Sequence, residues 1–288
     1  MQPGEDDATH TTQRYLYAHR LDFRLFKRVS LGLTEGIMVG DSPLELRFLN
    51  PLAVFHSFSS WKDYDLWGDS GYADHSDMVG SFFSIDINWA LFPSLVMYGQ
   101  FVMNEISLPN EANQIPSATG FMLGMEHTRA IFGWAASFYA EFMYSDPYLY
   151  TLSSPFASFI WMRRTGDAGP DLWYNWIGHP EGRDAILYFA GSTFSKETCG
   201  FFLNIAFAQK GERTLLWDWN RGKGYADQKT PSGIPEHRLR ITLGARWKPL
   251  PCLELSAQAG ETLLFNMNHV YDKRGRGFDV AVAVTCRY

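Results

Sequence analysis

The sequence is poor in cysteine, poor in charge and without a long apolar run, and each shortage removes a class of protein. Three cysteines in 288 residues, Cys199, Cys252 and Cys286, show neither CxxC nor metal-ligand spacing. Their odd number excludes a fully paired intramolecular disulfide set and leaves isolated structural thiols as the simplest reading. A formal net charge of -6 offers no basic stripe to displace counterions, which argues against a nucleic-acid partner. No stretch approaches the ~18 to 20 consecutive apolar residues that a membrane-crossing helix needs. GxSxG, HExxH, P-loop and GxGxxG motifs are all missing. His56-Ser57 suggests a hydrolase pair, but neighbours on a chain rarely present both groups to one substrate, and no third orienting group is legible. The expectation is a protein that is not an enzyme and uses no cofactor or metal.

What is present is apolar and aromatic character spread thinly. Hydrophobic residues make up 46% of the chain and aromatic residues 16%. The mean hydropathy is nevertheless only -0.20, so apolar residues are interleaved with polar ones. The clearest interleaving is Arg238 to Lys248. There Leu239, Ile241, Leu243, Ala245 and Trp247 alternate with Arg238, Arg240, Thr242, Gly244, Arg246 and Lys248, a period of two.

The pattern recurs in segments of about ten or more residues, the length of a tilted strand crossing lipid. Tyr15 to Leu25 and Val29 to Val39 show it, as do Val79 to Leu91, Leu95 to Ile106, Thr119 to Ile131 and Trp134 to Ser145. Ala185 to Ser195, Gly200 to Lys210, Cys252 to His269 and Gly277 to Tyr288 complete a set of eleven with Arg238 to Lys248. Short connections (Lys27-Arg28, Phe92-Pro93-Ser94, Phe132-Gly133, Lys196 to Cys199, Lys248 to Pro251) alternate with mostly long ones (Gly40 to Asp77, Ser107 to Ala118, Asp146 to Asp184, Gly211 to His237). Asp272 to Arg276 is a tighter one. Short turns on one side and long loops on the other are the habit of outer-membrane barrels. The fold predicted is therefore all-β, an antiparallel transmembrane outer-membrane β-barrel with 11-12 strands visible, localised to the bacterial outer membrane with lipid as a partner. Pro155 to Arg164 is left open between a hairpin arm outside the barrel and part of two further strands.

The last strand places Phe278, Val280, Val282, Val284, Cys286 and Tyr288 on one face, with Asp279, Thr285 and Arg287 on the other. That ending resembles the carboxy-terminal signal read by the barrel-assembly machinery, a second expected partner. An odd strand count puts the two ends on opposite sides of the membrane, whereas a closed barrel needs an even number. The segment 1-13 is acidic and polar, with no apolar leader-like stretch. The domain expectation is a polar segment 1-13 and a single barrel domain 14-288, lacking a leader and upstream strands.

Four motifs carry a family likeness: HRLDFR from His19, GLTE at Gly32 to Glu35 after the turn, the R-x-L-N-P segment Arg47 to Pro51 running on to His56, and YGQF at Tyr98 to Phe101 within Val79 to Ile106. Together they resemble the Wzi capsule-assembly family of outer-membrane proteins over roughly the first hundred residues. The resemblance implies a larger barrel, of about 18 strands, that holds capsular or surface polysaccharide at the cell exterior as a lectin. It also implies that this chain is amino-terminally truncated relative to the family.

Candidate ligand-binding residues come from three places. Arg20, Arg24, Arg238 and Arg240 lie opposite apolar faces and should point into the lumen. Two readings stand open for them: Arg forks for anionic sugar groups, or an internal salt-bridge network that fills the lumen. Arg47, Asn50 and His56 form the family-like segment, where capping or plugging is the alternative. Trp173, Trp176, Trp217 and Trp219 sit in aromatic-rich long loops, where sugar stacking competes with interfacial anchoring and loop packing. An Arg-lined lumen also fits a porin or uptake channel. Glu35 interrupts the apolar face of its strand and marks either a membrane rim or a bulge.

Overall fold

The structure, a computed structural model, describes residues 14-40, 44, 46-50, 54-55, 79-105, 117-151, 158-165, 171-213 and 229-286. Thirteen strands are described: β1 (Arg14–Leu25), β2 (Val29–Gly40), β3 (Val79–Phe92), β4 (Leu95–Glu105), β5 (Ala118–Ile131), β6 (Trp134–Ser145), β7 (Ile160–Thr165), β8 (Asp171–Trp176), β9 (Ala185–Ser195), β10 (Cys199–Lys210), β11 (Glu236–Leu250), β12 (Leu253–Phe265) and β13 (Arg274–Cys286). Eleven of them form one antiparallel sheet in the order β1-β2-β3-β4-β5-β6-β9-β10-β11-β12-β13. Chain neighbours are sheet neighbours throughout, apart from β7 and β8, which pair only with each other. Of the segment Pro155 to Arg164, the described residues from Ser158 on contribute to a side hairpin and add nothing to the eleven-stranded sheet.

The period of two becomes two continuous faces because register is held from strand to strand. Phe23 faces Leu31, Leu31 faces Ile87, and the same row runs on through Leu123, Phe142, Tyr188, Phe207 and Leu239. One residue away, Arg24, Ser30, Asn88, Tyr98, Glu141 and Arg240 lie on rows of the opposite face. A slip by one residue would exchange the faces, so the pattern itself fixes the register. The apolar face stays largely uncovered: Val282 is 73% exposed, and Leu123, Leu243 and Trp247 are also exposed. So wide an apolar surface exceeds what a soluble monomer leaves to water and fits contact with hydrocarbon.

At the long-connection end both faces are covered. On the apolar face, Phe48 in the 3-10 turn Leu46–Leu49 and Phe55 pack on Tyr17, Ile37 and Val39. Glu35 sits in unbroken register opposite His19, whose ring lies 4.4 Å from that of Phe55 and whose Nε2 is 3.3 Å from the Glu35 carboxylate. No bulge is involved. On the polar face, Leu149, Tyr150, Phe159, Trp176 and Ile177, all from the connection between β6 and β9, pack around Met38, Phe82 and Val102. β12 stops at Phe265, short of the His269 that alternation alone suggests. Asn266, Asn268 and His269 adopt positive φ and close a 3-10 turn at Met267–His269.

At the short-turn end, three successive hairpins carry an exposed phenylalanine: Phe26 (91%), Phe92 (58%) and Phe132 (97%). Phe26-Lys27 (φ 50 and 61) and Phe132-Gly133 (φ 48 and 77) are left-handed at both positions. Asn and Gly suit such turns, and a β-carbon makes them costly. Phe26→Asn and Phe132→Asn are each expected to stabilise the refolded protein by about 1 kcal/mol, read as a raised urea midpoint in detergent. A lowered midpoint in both variants would contradict the assignment of strain to these turns.

Candidate functional site

The site is built around the connection 146-184, which leaves β6 and returns to β9 although these strands are directly paired from Ala135 opposite Ser195 to Ser145 opposite Ala185. Its two ends are stapled, with the Asp184 N–H donating to the Asp146 carbonyl at 3.0 Å. Each aspartate then gathers donors from elsewhere. Asp146 accepts from the Thr119 N–H (2.9 Å), the Thr119 hydroxyl (2.5 Å) and the Tyr144 phenol (2.8 Å). Asp184, fully buried, accepts from the Ser232 N–H (3.0 Å), the Ser232 hydroxyl (2.5 Å) and the Arg213 N–H (3.2 Å). A buried carboxylate is tolerated only when donors of this kind surround it. Gly211 follows from the same packing, since a β-carbon there would come within 2.1 Å of the Asp184 carboxylate.

A second layer pins the connection to the polar face. The Arg14 guanidinium donates to the Ser158 and Ile160 carbonyls at 2.6 and 3.0 Å. Asn104 bridges β3 to the connection, donating to the Ser81 carbonyl (2.9 Å) and accepting from the Tyr150 N–H (2.8 Å). Arg183 is wholly buried and donates to the Thr151 hydroxyl at 2.6 Å; burial brings its pKa down to about 10. Lys210 donates to the carbonyls of Glu181 and Arg183, and Arg238 pairs with the Glu181 carboxylate. Trp176 is partly exposed beside Tyr174 and Tyr150, at ring distances of 5.8 and 6.2 Å, with Gly182 (φ 69) tight against its indole. The result is an aromatic and charged surface set over the polar face, able to stack on a ring and donate hydrogen bonds.

Below this surface the polar face is largely self-paired. Arg20 holds Asp86 in a two-pronged contact (2.5 and 2.9 Å) and Asp22 at 2.8 Å. Arg240 holds both oxygens of Asp279 at 3.0 Å, and Tyr98 donates to Glu141 at 3.1 Å.

The candidate residues are therefore distributed as follows. Arg20, Arg238 and Arg240 have their guanidinium groups engaged by protein carboxylates, as a lumenal salt-bridge network requires. Arg24 is exposed near the short-turn end, and Asn50 is exposed beside the 3-10 turn. Trp176 and Arg238 meet at one place through Gly182 and Glu181. His56, Trp217 and Trp219 lie outside the described residues, and the side chains of Arg47 and Trp173 outside the described side chains. Asp146, Asp184, Arg183, Lys210 and Glu181 escaped sequence reasoning. Their only signal is an aspartate at each border of the longest connection between two directly paired strands.

Fold and site together define a large antiparallel meander with one apolar and one polar face, its polar face covered at one end by an inserted connection. No protein-family model matches the sequence, and no curated protein matches it. Among solved structures the chain is similar to Wzi, an outer membrane protein involved in group 1 capsule assembly in Escherichia coli and a carbohydrate-binding β-barrel, at 15% identity and a TM-score of 0.56. The match takes in 94% of this chain and 51% of that one, so the chain spans about half the length of that protein. The likeness places the large sheet in a β-barrel fold.

Two outcomes follow. Asp184→Ala strands the donors of Ser232 and Arg213 and is expected to cost about 3 kcal/mol, seen as faster proteolysis within 146-184 and 229-235. Unchanged protection would deny the staple its role. His179 accepts from the Glu181 N–H at 3.2 Å through Nδ1, and burial lowers its pKa against the opposing pull of Glu181 and Glu141. The unfolded chain thus binds a proton more readily than the folded one, so the contribution is full above the ordinary value of 6.5 and drains away as pH falls below it. Cleavage in 146-184 should rise between pH 7.5 and 5.5. His179→Asn, which keeps an acceptor and removes the titration, should flatten that dependence.

Proposed function

We propose that this chain belongs to a bacterial outer-membrane β-barrel that binds or anchors capsular or surface polysaccharide at the cell exterior, without enzymatic activity. The observation that carries the reading is the insertion 146-184, which covers the polar face at the long-connection end and presents Trp176, Tyr174 and neighbouring donors there. An open channel gains nothing from such a cover, whereas a lectin gains a rigid platform. The exposed apolar face meets lipid, and the alternating β13 is the strand offered to the barrel-assembly machinery. The carbohydrate-binding and capsule-assembly description of the Wzi structure supports the choice of ligand.

The test is binding of the source strain's purified surface polysaccharide to the refolded protein in detergent. Trp176→Ala is expected to weaken binding about three- to tenfold, the worth of one stacked ring. No binding by the parent protein would sink the reading. Planar-bilayer recordings address the alternative of a porin: a covered lumen stays silent, while regular large conductance steps would favour a channel.

A further inference from the structure

Among the described residues most cations of the polar face are spoken for; Arg24, exposed near the short-turn end, and Arg246 hold no carboxylate, and of the two Arg246 sits over a cavity. Arg20, Arg238, Arg240 and Lys248 each hold a carboxylate, Lys248 that of Glu254 at 3.2 Å. Arg246, on the same face of β11 two residues from Lys248, has no carboxylate or hydrogen-bond partner among the described residues. It lies at the short-turn end, far along β11 from the Arg238 contact with the insertion.

The register explains the space around it. Arg246 faces Gly200 on β10 and Ser256 on β12, while Gly200 in turn faces Ser195 and Ser256 faces Ala283. A row of such small side chains leaves the guanidinium above an open floor. The adjacent row supplies the walls. The ring of Phe202 lies over Gly244, where a β-carbon would come within 2.1 Å of it, with Thr193 and Gln258 on the flanking strands. Together these groups line a cavity of about 550 Å³. That falls inside the span of about 300 to 1,000 Å³ typical of small-ligand sites.

We infer that this cavity binds a carboxylated sugar unit, a uronate, with Arg246 as the fork for its carboxylate. Guanidinium matches a carboxylate in a two-pronged geometry that neither water nor a neutral hydroxyl fulfils. The Phe202 ring offers an apolar face for a sugar ring, and Gln258, Thr193, Ser195 and Ser256 offer the mixed donors and acceptors that hydroxyls need. An aliphatic carboxylate would use the fork and leave the rest idle; a neutral sugar would leave the fork idle. The carboxylate half of the inference stands on Arg246 alone, whereas the sugar half rests on the polysaccharide-binding reading above. The site is distinct from the Trp176 surface, being at the opposite end of the polar face.

The experiment titrates the full refolded chain in detergent with three probes, glucuronate, glucose and acetate, by calorimetry. Glucuronate is expected to bind most tightly, with Arg246→Gln lowering its affinity at least about tenfold. Arg246→Lys keeps the charge without the fork and should fall between. Ser256→Leu fills the floor while leaving Arg246 in place, and should give a loss as large as Arg246→Gln; a parent-like strand spectrum by circular dichroism certifies that each variant folds. Equal affinity for the three probes, or glucuronate binding unchanged in folded Arg246→Gln and Ser256→Leu, overturns the site. If polysaccharide binds and glucuronate is indifferent to both variants, the cavity fails and the surface lectin stands. If glucuronate binds through Arg246 and polysaccharide does not, the cavity stands and the surface reading fails.

Discussion

Two aspartates, Asp146 and Asp184, hold the functional end of this molecule together. The sheet needs little help, since its backbone groups pair strand to strand. Outside the β7-β8 pair, the described parts of the long connections lie off that ladder, and each of their buried backbone donors must find a partner. Asp146 and Asp184 supply acceptors at a single point where the start of β5, the neck of the insertion, the end of β10 and the segment before β11 converge. Carboxylates suit the task because each accepts several hydrogen bonds and is heavily penalised if any alternative packing leaves it dry and unpaired. The cost of misplacement is what makes the arrangement specific.

The same logic, run at lower stakes, organises the polar face. Arg20 and Asp86, Arg240 and Asp279, and Lys248 and Glu254 sit on nearby strands where register places opposite charges side by side. These partly exposed pairs add modestly to stability. Their larger effect is to spend charge internally, so that the face as a whole is polar without being strongly attractive to ions. Against that background an unspent guanidinium above a cavity, that of Arg246, stands out chemically among the described residues.

Sequence reasoning reached the sheet because a period of two survives any tertiary context that keeps one face apolar. It reached β11 most easily, since Arg238 to Lys248 alternate without a break. It overextended β12, because Asn266 and Asn268 look like continuing polar positions until their left-handed backbone is seen. It left the segment from Pro155 open, because a two-stranded side hairpin alternates much as a sheet strand does. The charge of Glu35 on an apolar face suits a membrane rim, a register shift or a bulge equally in sequence; the uninterrupted ladder with His19 removes the shift and the bulge. The partner of Arg20 lies 66 residues away, and pairing across that distance depends on a register that no local pattern states. The insertion's aspartates were hidden for a different reason, since a lone polar residue at a strand border is the commonest thing a loop can offer.

The stapled neck of the insertion has a further consequence. β6 and β9 pair along their full length, and the chain between them departs and returns through one hydrogen bond from Asp184 to Asp146. Seen from the sheet, residues 146-184 form a cassette plugged into a fixed socket. Closing that loop is already accomplished by the strands, so lengthening or rewriting its interior adds little entropic penalty. Divergence can therefore act on the recognition surface while the barrel stays under its own, stricter selection, and chimeras exchanged at the two aspartates would respect the boundary the molecule itself has drawn.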